Sequence, residues 1–381
     1  MNVLLVEPDY YTRYPPLGLM KLASYHRSRG NRVQLVRGIT NESQFKPDVI
    51  EVTSLFTYAW KPVHKAIEKY HSLYPEARMR LGGIYASLLP GPIKERFPFL
   101  DVHVGLFKEA DSYLPAYDIL EQVDKWKGWD TSIVFTSRGC IRKCPFCVVP
   151  KMEGKLHSVA PDVHNYIHPN HKKVILWDNN FLASPDWRSV LTDLKGGGWK
   201  VDFNQGLDAR MIDEEKAALL AEFKMPMIRM AYDWVGQKDE ITNAVDLLAD
   251  QGIKRRNILF YCLYNFFSEG VGDDPSSFLQ RTIDVLDLGC VSYPMRYEPW
   301  DSLQKNSFIS PLWTAQQLEL IAKARRVIGF GGAFPPYEGL MNKLKNASGL
   351  DEAFSIRPIQ ADGDEAPCAD VDHCDSTLSH S

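Results

Sequence analysis

The chain has 381 residues, of which 45% are hydrophobic, and its net charge is −4. This length suits about two domains, and the small negative charge argues against a surface that binds extended nucleic acid. No apolar run approaches the roughly 20 residues of a membrane span. The first residues resemble a strand rather than a secretion signal, and seven cysteines, an odd number, provide no disulfide framework. We therefore expect a cytoplasmic protein that binds neither membranes nor long nucleic acids.

The first part of the chain alternates strand and helix patterns. Short apolar runs predict strands, and stretches with apolar residues three or four positions apart predict helices. The predicted strands cover residues 3–6, 32–36, 49–53, 79–81 and 102–104, and the predicted helices cover residues 17–29 and 60–73. This alternation predicts a doubly wound parallel sheet, which binds ligands beyond the carboxyl ends of its strands. We assign residues 1–125 to this domain.

A second alternation covers residues 126–300 and predicts six strand–helix units. The predicted strands cover residues 132–136, 174–177, 201–203, 227–231, 258–263 and 291–293. We expect a helical extension at residues 301–349. Residues 350–381 are acidic and poor in apolar residues, which predicts a flexible tail. This tail carries Cys368, His373 and Cys374, for which we favour a disordered segment over a second metal site.

Three cysteines, Cys140, Cys144 and Cys147, follow the first strand of the second alternation. Their spacing is C-x3-C-x2-C, and the aromatic Phe146 precedes the third. Three thiolates this close cannot all pair as disulfides, but they can bind one metal cluster. A four-iron cluster takes four ligands, so three cysteines leave one iron open to a small molecule. A zinc site would need a fourth cysteine or histidine nearby, and the next histidine, His157, is ten residues further on.

The run from Ser137 to Cys147, with the apolar strand before it, resembles the radical S-adenosylmethionine (SAM) superfamily, whose hallmark is C-x3-C-x-aromatic-C after the first barrel strand. The resemblance implies a partial (β/α)6 barrel and a 4Fe-4S cluster bound by the three cysteines. It implies that SAM binds the open iron and is cleaved reductively to methionine and a 5′-deoxyadenosyl radical, which abstracts hydrogen from a substrate. It also implies a reductase partner such as a flavodoxin or ferredoxin. We expect the substrate to be a small molecule or a group presented at the barrel mouth.

The N-terminal domain resembles the cobalamin-binding-type domain that precedes many radical SAM domains. The resemblance is carried by residues 14–19 (YPPLGL) and 82–87 (GGIYAS). Many cobalamin domains supply an axial histidine from a D-x-H-x-x-G motif after the first strand, and residues 7–12 (EPDYYT) contain no histidine there. His26 and His64 fall within helical patterns, and we interpret them as ordinary surface residues. We therefore treat cobalamin as possible but do not expect it, and we expect the domain to cover the barrel mouth.

Polar residues at the predicted strand ends are candidates for cofactor binding, because catalytic groups of α/β barrels lie at the carboxyl ends of the strands. The superfamily resemblance sets Phe146 near the adenine of SAM. Asp178 and Asn179 end the second strand, where many relatives have Gly-Gly-Glu. The Asp178 carboxylate suits the SAM ammonium group, and a simple strand-end turn is the alternative.

The later strand ends add two further groups of candidates. For cofactor binding they are Asn204, Gln205, Arg210 and Tyr232. Amides can reach ribose hydroxyls, and an arginine can bind the SAM carboxylate with both of its N–H groups, although Arg210 could equally lie on the surface. For the substrate side the candidates are Tyr264, Asn265, Arg296 and Tyr297, with a core or lid position as the alternative for the aromatic ones.

Two other functions remain open. The segment Cys147-Val148-Val149-Pro150 resembles the end of the cluster loop in tRNA methylthiotransferases. Those enzymes bind a second cluster through three cysteines in their N-terminal half, and no cysteine precedes Cys140 here. The third possibility is a non-catalytic iron–sulfur protein that binds a partner or senses redox state.

We expect the anaerobically reconstituted protein to hold about four irons and four sulfides per chain, because one set of three cysteines can bind one such cluster. Replacing Cys140, Cys144 and Cys147 together by alanine should abolish both the iron and the brown colour. The measurement is iron and sulfide analysis together with the visible absorption spectrum. Full iron content in the triple variant would contradict this assignment of the ligands.

Overall fold

The structure is a computed structural model, and it describes residues 1–41 and 43–356. The predicted tail site with Cys368, His373 and Cys374 lies outside the described residues. The described part contains a five-stranded sheet near the N-terminus and two three-stranded sheets further along the chain. All neighbouring strands in these three sheets run parallel. Within the same residues, no helix is long and apolar enough to cross a membrane.

The N-terminal sheet has the strand order β2-β1-β3-β4-β5. Its strands are β1 (Asn2–Glu7), β2 (Arg32–Arg37), β3 (Val49–Ser54), β4 (Arg78–Gly83) and β5 (Asp101–Val102). The helices of this region are α1 (Leu17–Arg27), α2 (Trp60–Leu73), α3 (Ile84–Leu88), α4 (Pro90–Arg96) and α5 (Lys108–Asp111). Strands β1 to β4 lie where the sequence predicts them, whereas β5 overlaps its predicted range of 102–104 only at Val102. Helices α3 to α5 are too short to give a helical pattern, and they were not predicted.

Helices cover both faces of the N-terminal sheet. Val3 and Leu5 of β1 pack in one core cluster with residues of α1, whereas Leu4 and Val6 pack in another with residues of α2. Successive side chains of a strand point to opposite faces, so α1 and α2 lie on opposite sides of the sheet.

The remaining strands and helices follow in chain order. The strands are β6 (Thr131–Val134), β7 (Ser137–Arg138), β8 (His157–Ser158), β9 (Lys173–Leu176), β10 (Lys200–Phe203), β11 (Ile228–Ala231), β12 (Ile258–Tyr264), β13 (Phe267–Ser268), β14 (Val271–Gly272) and β15 (Val291–Arg296). The helices are α6 (Val149–Met152), α7 (Trp187–Gly197), α8 (Glu214–Ala221), α9 (Lys238–Asp250), α10 (Pro275–Asp287), α11 (Ala315–Val327), α12 (Glu338–Asn346) and α13 (Leu350–Phe354).

Six parallel strands succeed one another between residues 131 and 296. Strands β6, β9 and β10 form one sheet, and β11, β12 and β15 form the other. A parallel bridge between Leu207 and Met230 joins the two, with the Leu207 N–H donating to the Arg229 carbonyl at 2.7 Å. The predicted α/β class with parallel sheets is therefore confirmed, and each of the six predicted strands has a counterpart.

The side chains of these six strands alternate between two environments. One set is buried against the surrounding helices and includes Phe203, Met230 and Phe260. The neighbouring residues on the opposite faces, such as Arg229 and Tyr261, are only half-buried. The second set faces the side of the six strands that is opposite to these helices, which we call the inner side. A shift of one residue moves a side chain from one environment to the other.

The N-terminal part contacts the carboxyl ends of the six strands. Tyr14, which follows β1, packs edge-on against Trp177, with ring centres 5.2 Å apart. Thr57 Oγ1, which follows β3, donates to the Ser302 carbonyl at 2.6 Å, and Trp60 Nε1 donates to the Leu303 carbonyl at 3.1 Å. Segments at the carboxyl edge of the N-terminal sheet thus contact segments that follow β9 and β15.

His26 and His64 are not the surface residues that the sequence suggested. Their side chains are buried, His26 beside Glu51 of β3 and His64 against Tyr85 and Phe97. His64 shares a hydrogen bond of 2.8 Å with the Tyr85 hydroxyl, and burial lowers the pKa of His64 to about 4.

Gly83, at the end of β4, provides a test of the close packing between β4 and β3. Its φ of +101° lies in the region that favours glycine, and an added Cβ would come within 2.1 Å of the Ser54 carbonyl oxygen. Gly83→Ala should therefore lower the free energy of unfolding by roughly 2–4 kcal/mol, measured by urea denaturation. Gly82→Ala is the matched control, because nothing lies within 4 Å of a Cβ at that position. Equal stability of the two variants would contradict the described packing.

Candidate cluster and SAM site

The three cysteines lie in a loop, residues 139–156, that is closed at its base. Strand β7 pairs antiparallel with β8, which brings Arg138 opposite His157. Gly139 begins the loop with φ +77°, and an added Cβ would lie 2.4 Å from the Lys155 carbonyl oxygen. We call residues 139–156 the cysteine loop. The close approach of its two ends requires glycine at its first position.

The three thiols are free and partly accessible. Cys140 Sγ accepts hydrogen bonds from the Arg142 backbone N–H at 3.3 Å and from Asn180 Nδ2 at 3.6 Å. The Cys147 N–H donates to the Cys144 carbonyl at 3.0 Å, which closes a tight turn. N–H donors at a cysteine sulfur are a common feature of iron–sulfur sites, where they tune the reduction potential.

The donor set of the loop fits a four-iron cluster. Among residues 1–41 and 43–356, no three His, Cys, Asp or Glu side chains converge on a point that could hold a single ion. A cluster places a different requirement on its ligands, because each thiolate binds a separate iron. Burial raises the pKa of the Cys144 and Cys147 thiols, so metal binding must displace their protons.

The Asp178 carboxylate is bound by the chain segment that leads into the cysteine loop. Its Oδ1 accepts from Thr136 Oγ1 and Ser137 Oγ, each at 2.7 Å, and from both backbone N–H groups at 3.1 and 2.5 Å. The side chain is 2% exposed. The sequence suggested this carboxylate for the SAM ammonium group, and the described contacts correct that suggestion. Asp178 instead ties the end of β9 to the base of the loop.

Two neighbours of Asp178 also bond to the cysteine loop. Asn179 Nδ2 donates to Glu153 Oε2 at 2.8 Å, and the same oxygen accepts from the Gly139 N–H at 3.0 Å. Asn180 is 4% exposed and contacts Cys140, while its Oδ1 has no hydrogen-bond partner. The sequence predicts Asn179 as a cofactor ligand. Glu153 and Asn180 were not candidates, because these contacts join residues that are far apart in sequence.

Asp208 gathers several basic and amide groups beside the cysteine loop. Its carboxylate accepts from Arg210 Nε at 2.7 Å, from Arg142 Nε at 2.9 Å and from Asn180 Nδ2 at 3.2 Å. Although burial works against it, these bonds hold the pKa of Asp208 below its ordinary value. Two guanidinium groups around one carboxylate leave a net positive charge next to Cys140. The predicted site residue Arg210 is thus brought to the loop.

Tyr232 does not face the inner side of the strands, which corrects the prediction for this residue. Its ring is fully buried among the helices, and its hydroxyl donates to Asp284 Oδ2 at 3.0 Å. The next residue, Asp233, points the other way and influences both Cys144 and Cys147 electrostatically. Burial raises the pKa of the Asp233 carboxyl to about 6, although Arg281 and Arg210 counteract it. The alternation of strand side chains is the signal that could have identified Asp233.

Asn204 and Gln205 have different environments. Asn204 Nδ2 donates to the Tyr14 hydroxyl at 2.6 Å, so its amide contacts the N-terminal part of the chain. Gln205 is exposed. Their predicted contact with the SAM ribose stays a prediction.

Two of the four substrate-side candidates are inaccessible in the structure. Tyr264 is 2% exposed and packs against Phe278 and Trp313, and Asn265 is fully buried. The Asn265 amide is bound to the backbone of residues 308 and 310. These contacts correct the prediction, because both side chains stabilise a neighbouring loop instead of lining an opening.

The other two candidates, Arg296 and Tyr297, are half-buried. Arg296 donates to the backbone carbonyls of Asn306 and Phe308 at 3.0 and 2.8 Å. Tyr297 packs edge-on against Phe266, which in turn packs against Phe146 of the cysteine loop, with ring centres 5.0 and 5.6 Å apart. Phe146 is therefore linked to the end of β15 through a row of aromatic rings.

No protein-family model matches the chain, but individual proteins are similar to it in sequence or in fold. A tRNA-2-methylthio-N(6)-dimethylallyladenosine synthase from Flavobacterium psychrophilum is 22% identical over 231 residues, covering 53% of this chain and 46% of that protein. The solved structure of the cobalamin-dependent S-adenosylmethionine radical enzyme OxsB is similar in fold, with a TM-score of 0.51 and 16% identity over 76% of this chain and 51% of that one. The fold is therefore similar to that of a radical SAM enzyme, as the sequence predicts. The chain spans about half the length of these two relatives, and both are enzymes by name.

The structure of coproporphyrinogen III oxidase (HemN) from Escherichia coli is more distant. It has a TM-score of 0.35 and 13% identity, covering 56% of this chain and 57% of that one. We draw no argument from this level of similarity.

The contacts of Asp178 predict how its loss would act. In Asp178→Ala four donors of Thr136 and Ser137 lose their acceptor, so the free energy of unfolding should fall by about 3 kcal/mol and the reconstituted protein should retain less iron. Denaturation curves and iron analysis measure the two effects. The control is Asp162→Ala, because Asp162 is exposed and its loss should change stability by less than about 0.5 kcal/mol. Normal stability and iron with weaker SAM binding would instead restore Asp178 as a SAM ligand.

Proposed function

We propose that this protein is a radical SAM enzyme that cleaves SAM reductively and abstracts hydrogen from a substrate held between its two parts. Cys140, Cys144 and Cys147 would hold a 4Fe-4S cluster. When bound, such a cluster supplies the electron that converts SAM into methionine and a 5′-deoxyadenosyl radical. We also propose that the six parallel strands correspond to the partial barrel of this superfamily and that the N-terminal sheet corresponds to its cobalamin-binding-type domain.

The observation that carries this proposal is the setting of Cys140. Its sulfur accepts two N–H donors, and the Asp208 group next to it carries a net positive charge. Positive charge and hydrogen bonds at the sulfurs favour the reduced form of a cluster, which has gained a negative charge. A structural thiol in an apolar core would need neither feature.

The residues around the cysteine loop suggest how SAM would be oriented. Asp233 is the carboxylate on the inner side of the strands that lies near Cys144, and it has one hydrogen bond, from the Leu263 N–H at 3.3 Å. It therefore has capacity for the SAM ammonium group. Arg210 is exposed and influences Asp233 electrostatically, and it would bind the SAM carboxylate through a guanidinium N–H. Phe146 would pack against the adenine.

The substrate would lie between the N-terminal sheet and the inner side of the six strands. Tyr14 contacts Asn204 and Trp177 at one end of this space, and Thr57 and Trp60 contact the segment after β15 at the other. Strands β11 and β12 lie between these contacts. A substrate above them would face polar as well as aromatic groups.

Two half-buried groups line that part of the strands. One is the ion pair between Asp202 and Arg229. The other is the edge-on pair of Tyr261 and Tyr293, with ring centres 5.4 Å apart. Neither residue pair was a candidate from the sequence, because the candidates were taken from the strand ends.

The decisive test is SAM cleavage by the reconstituted protein. With dithionite or a reduced flavodoxin, we expect stoichiometric or catalytic release of methionine and 5′-deoxyadenosine, detected by liquid chromatography and mass spectrometry. The Cys140, Cys144 and Cys147 triple alanine variant is the blank. Absence of both products from protein with a full cluster would favour a non-catalytic iron–sulfur protein.

Asp233→Asn should weaken SAM binding by roughly 10–150-fold, because a charge-assisted hydrogen bond to an ammonium group is worth about 1.5–3 kcal/mol. Isothermal calorimetry on the protein with its cluster measures the affinity. Asp239→Asn is the control, because Asp239 is exposed at the start of α9. An affinity equal to that of the control would exclude Asp233 as the ammonium ligand.

A second candidate function is methylthiolation of tRNA, and the similarity to the Flavobacterium psychrophilum synthase favours it. The absence of cysteines before Cys140 argues against this function, because tRNA methylthiotransferases need three cysteines in their N-terminal half to bind a second cluster. Iron counting separates the two, since the second candidate requires about eight irons per chain.

Cobalamin remains a possible additional cofactor. The OxsB enzyme is cobalamin-dependent by name, whereas the segment after β1 in this chain has no axial histidine. The buried His64 lies on α2 and is bonded to Tyr85, which leaves it unsuited to an axial role. We therefore retain the expectation of weak binding or none.

A further inference from the structure

We propose that Lys21 and Asp111, two residues of the N-terminal part, are positioning residues for the cluster. Together with Arg138 and Glu153 they form a continuous buried array, which we call the charge chain. It runs from helix α1 to the first residue of the cysteine loop. This inference rests on the proposed function, in which the loop holds a cluster, and it gives the N-terminal part a role beyond covering the substrate space.

The charge chain is continuous in its hydrogen bonds. Lys21 Nζ donates to Asp111 Oδ1 at 2.7 Å, and Arg138 donates to the same oxygen at 3.0 Å. The other end of the Arg138 guanidinium donates to Glu153 Oε1 at 3.1 Å. Glu153 Oε2 then accepts from the Gly139 N–H at 3.0 Å, next to Cys140. Each link joins a different element, so the array connects α1, α5, β7 and the cysteine loop.

The burial of these four side chains makes the array energetically sensitive. The side chains of Lys21, Asp111, Arg138 and Glu153 are 10%, 19%, 8% and 12% exposed. Two positive and two negative charges cancel within the array. Exposed ion pairs contribute little to stability, but removal of one partner from a buried pair leaves an uncompensated charge and is strongly unfavourable.

The charge chain acts on the cluster ligand through the loop backbone. The two ends of the loop are close together, because an added Cβ on Gly139 would lie 2.4 Å from the Lys155 carbonyl oxygen and the Cys140 N–H donates to the Gly154 carbonyl at 3.5 Å. A shift of Glu153 therefore moves both ends of the loop and the Cys140 sulfur with them. Residues that orient metal ligands in this way typically change metal affinity by 10–100-fold when they are replaced.

The first experiment measures how fast the cluster is lost to a chelator. In Asp111→Asn and in Lys21→Gln the loss should be about tenfold faster than in the parent protein, followed by the decay of the cluster absorbance under anaerobic conditions. Asp118→Asn is the matched control. Asp118 follows Asp111 on the same segment and pairs with Arg27, but its side chain is 70% exposed. The control should lose its cluster at the parent rate.

The second experiment needs no cluster and separates this inference from the proposed function. In the apo protein, alkylation of Cys140 by iodoacetamide should be several-fold faster in Asp111→Asn and Lys21→Gln than in the parent. The buried Cys262 is the internal reference, and peptide mass spectrometry measures both sites. Lys21→Gln decides the question if Asp111→Asn does not fold.

The third experiment tests the charge of the array. Arg138→Gln leaves the Glu153 carboxylate uncompensated near the cluster and should lower its midpoint potential, measured by a redox titration followed by electron paramagnetic resonance. Arg138→Lys keeps the charge and should restore the potential. Parent-like chelation, alkylation and midpoint potential in the folded variants would overturn the proposal. Failure of the parent protein to cleave SAM would affect only the proposed function.

Discussion

The arrangement of the site depends on one buried carboxylate, Asp178 at the end of β9. A carboxylate that is 2% exposed is strongly disfavoured unless donors surround it, and here Thr136 and Ser137 supply four. Desolvation still outweighs these bonds, and the pKa of Asp178 is raised. The carboxylate and its donors can therefore be satisfied only together, and this fixes the segment after β6 against the end of its neighbouring strand.

The cysteine loop is consequently held from two sides. Asp178 fixes the segment before the loop, and Glu153 fixes its far end to Gly139 and Asn179. Between these points the cysteines remain partly accessible. A site of this kind combines a rigid base with an accessible centre, which is what a ligand loop needs if it is to accept a cluster and a second small molecule without refolding.

The strands could be predicted from the sequence, but the direction of the strand-end side chains could not. Buried parallel strands are short apolar runs, which are easily recognised. Whether Tyr232 or Asp233 faces the site depends instead on a difference of one position along the strand, because a shift of one residue moves a side chain to the opposite face. Asn265 was expected at an opening, but a left-handed backbone with φ +67° turns it into the core. Contacts such as Glu153 with Asn179 depend on the tertiary fold, and no local pattern encodes them.

The charge chain raises the question of why a buried ionic array joins the two parts of the protein. Apolar side chains of similar size would often stabilise such a contact as well or better, since the desolvation of charges is costly. Apolar surfaces, however, can slide past one another, whereas Arg138 accepts only one placement of Asp111 and Glu153 relative to its guanidinium plane. The array therefore fixes the orientation of the cysteine loop relative to the N-terminal part. A loop that must hold three sulfur atoms at fixed separations needs this fixed orientation more than it needs an additional apolar contact.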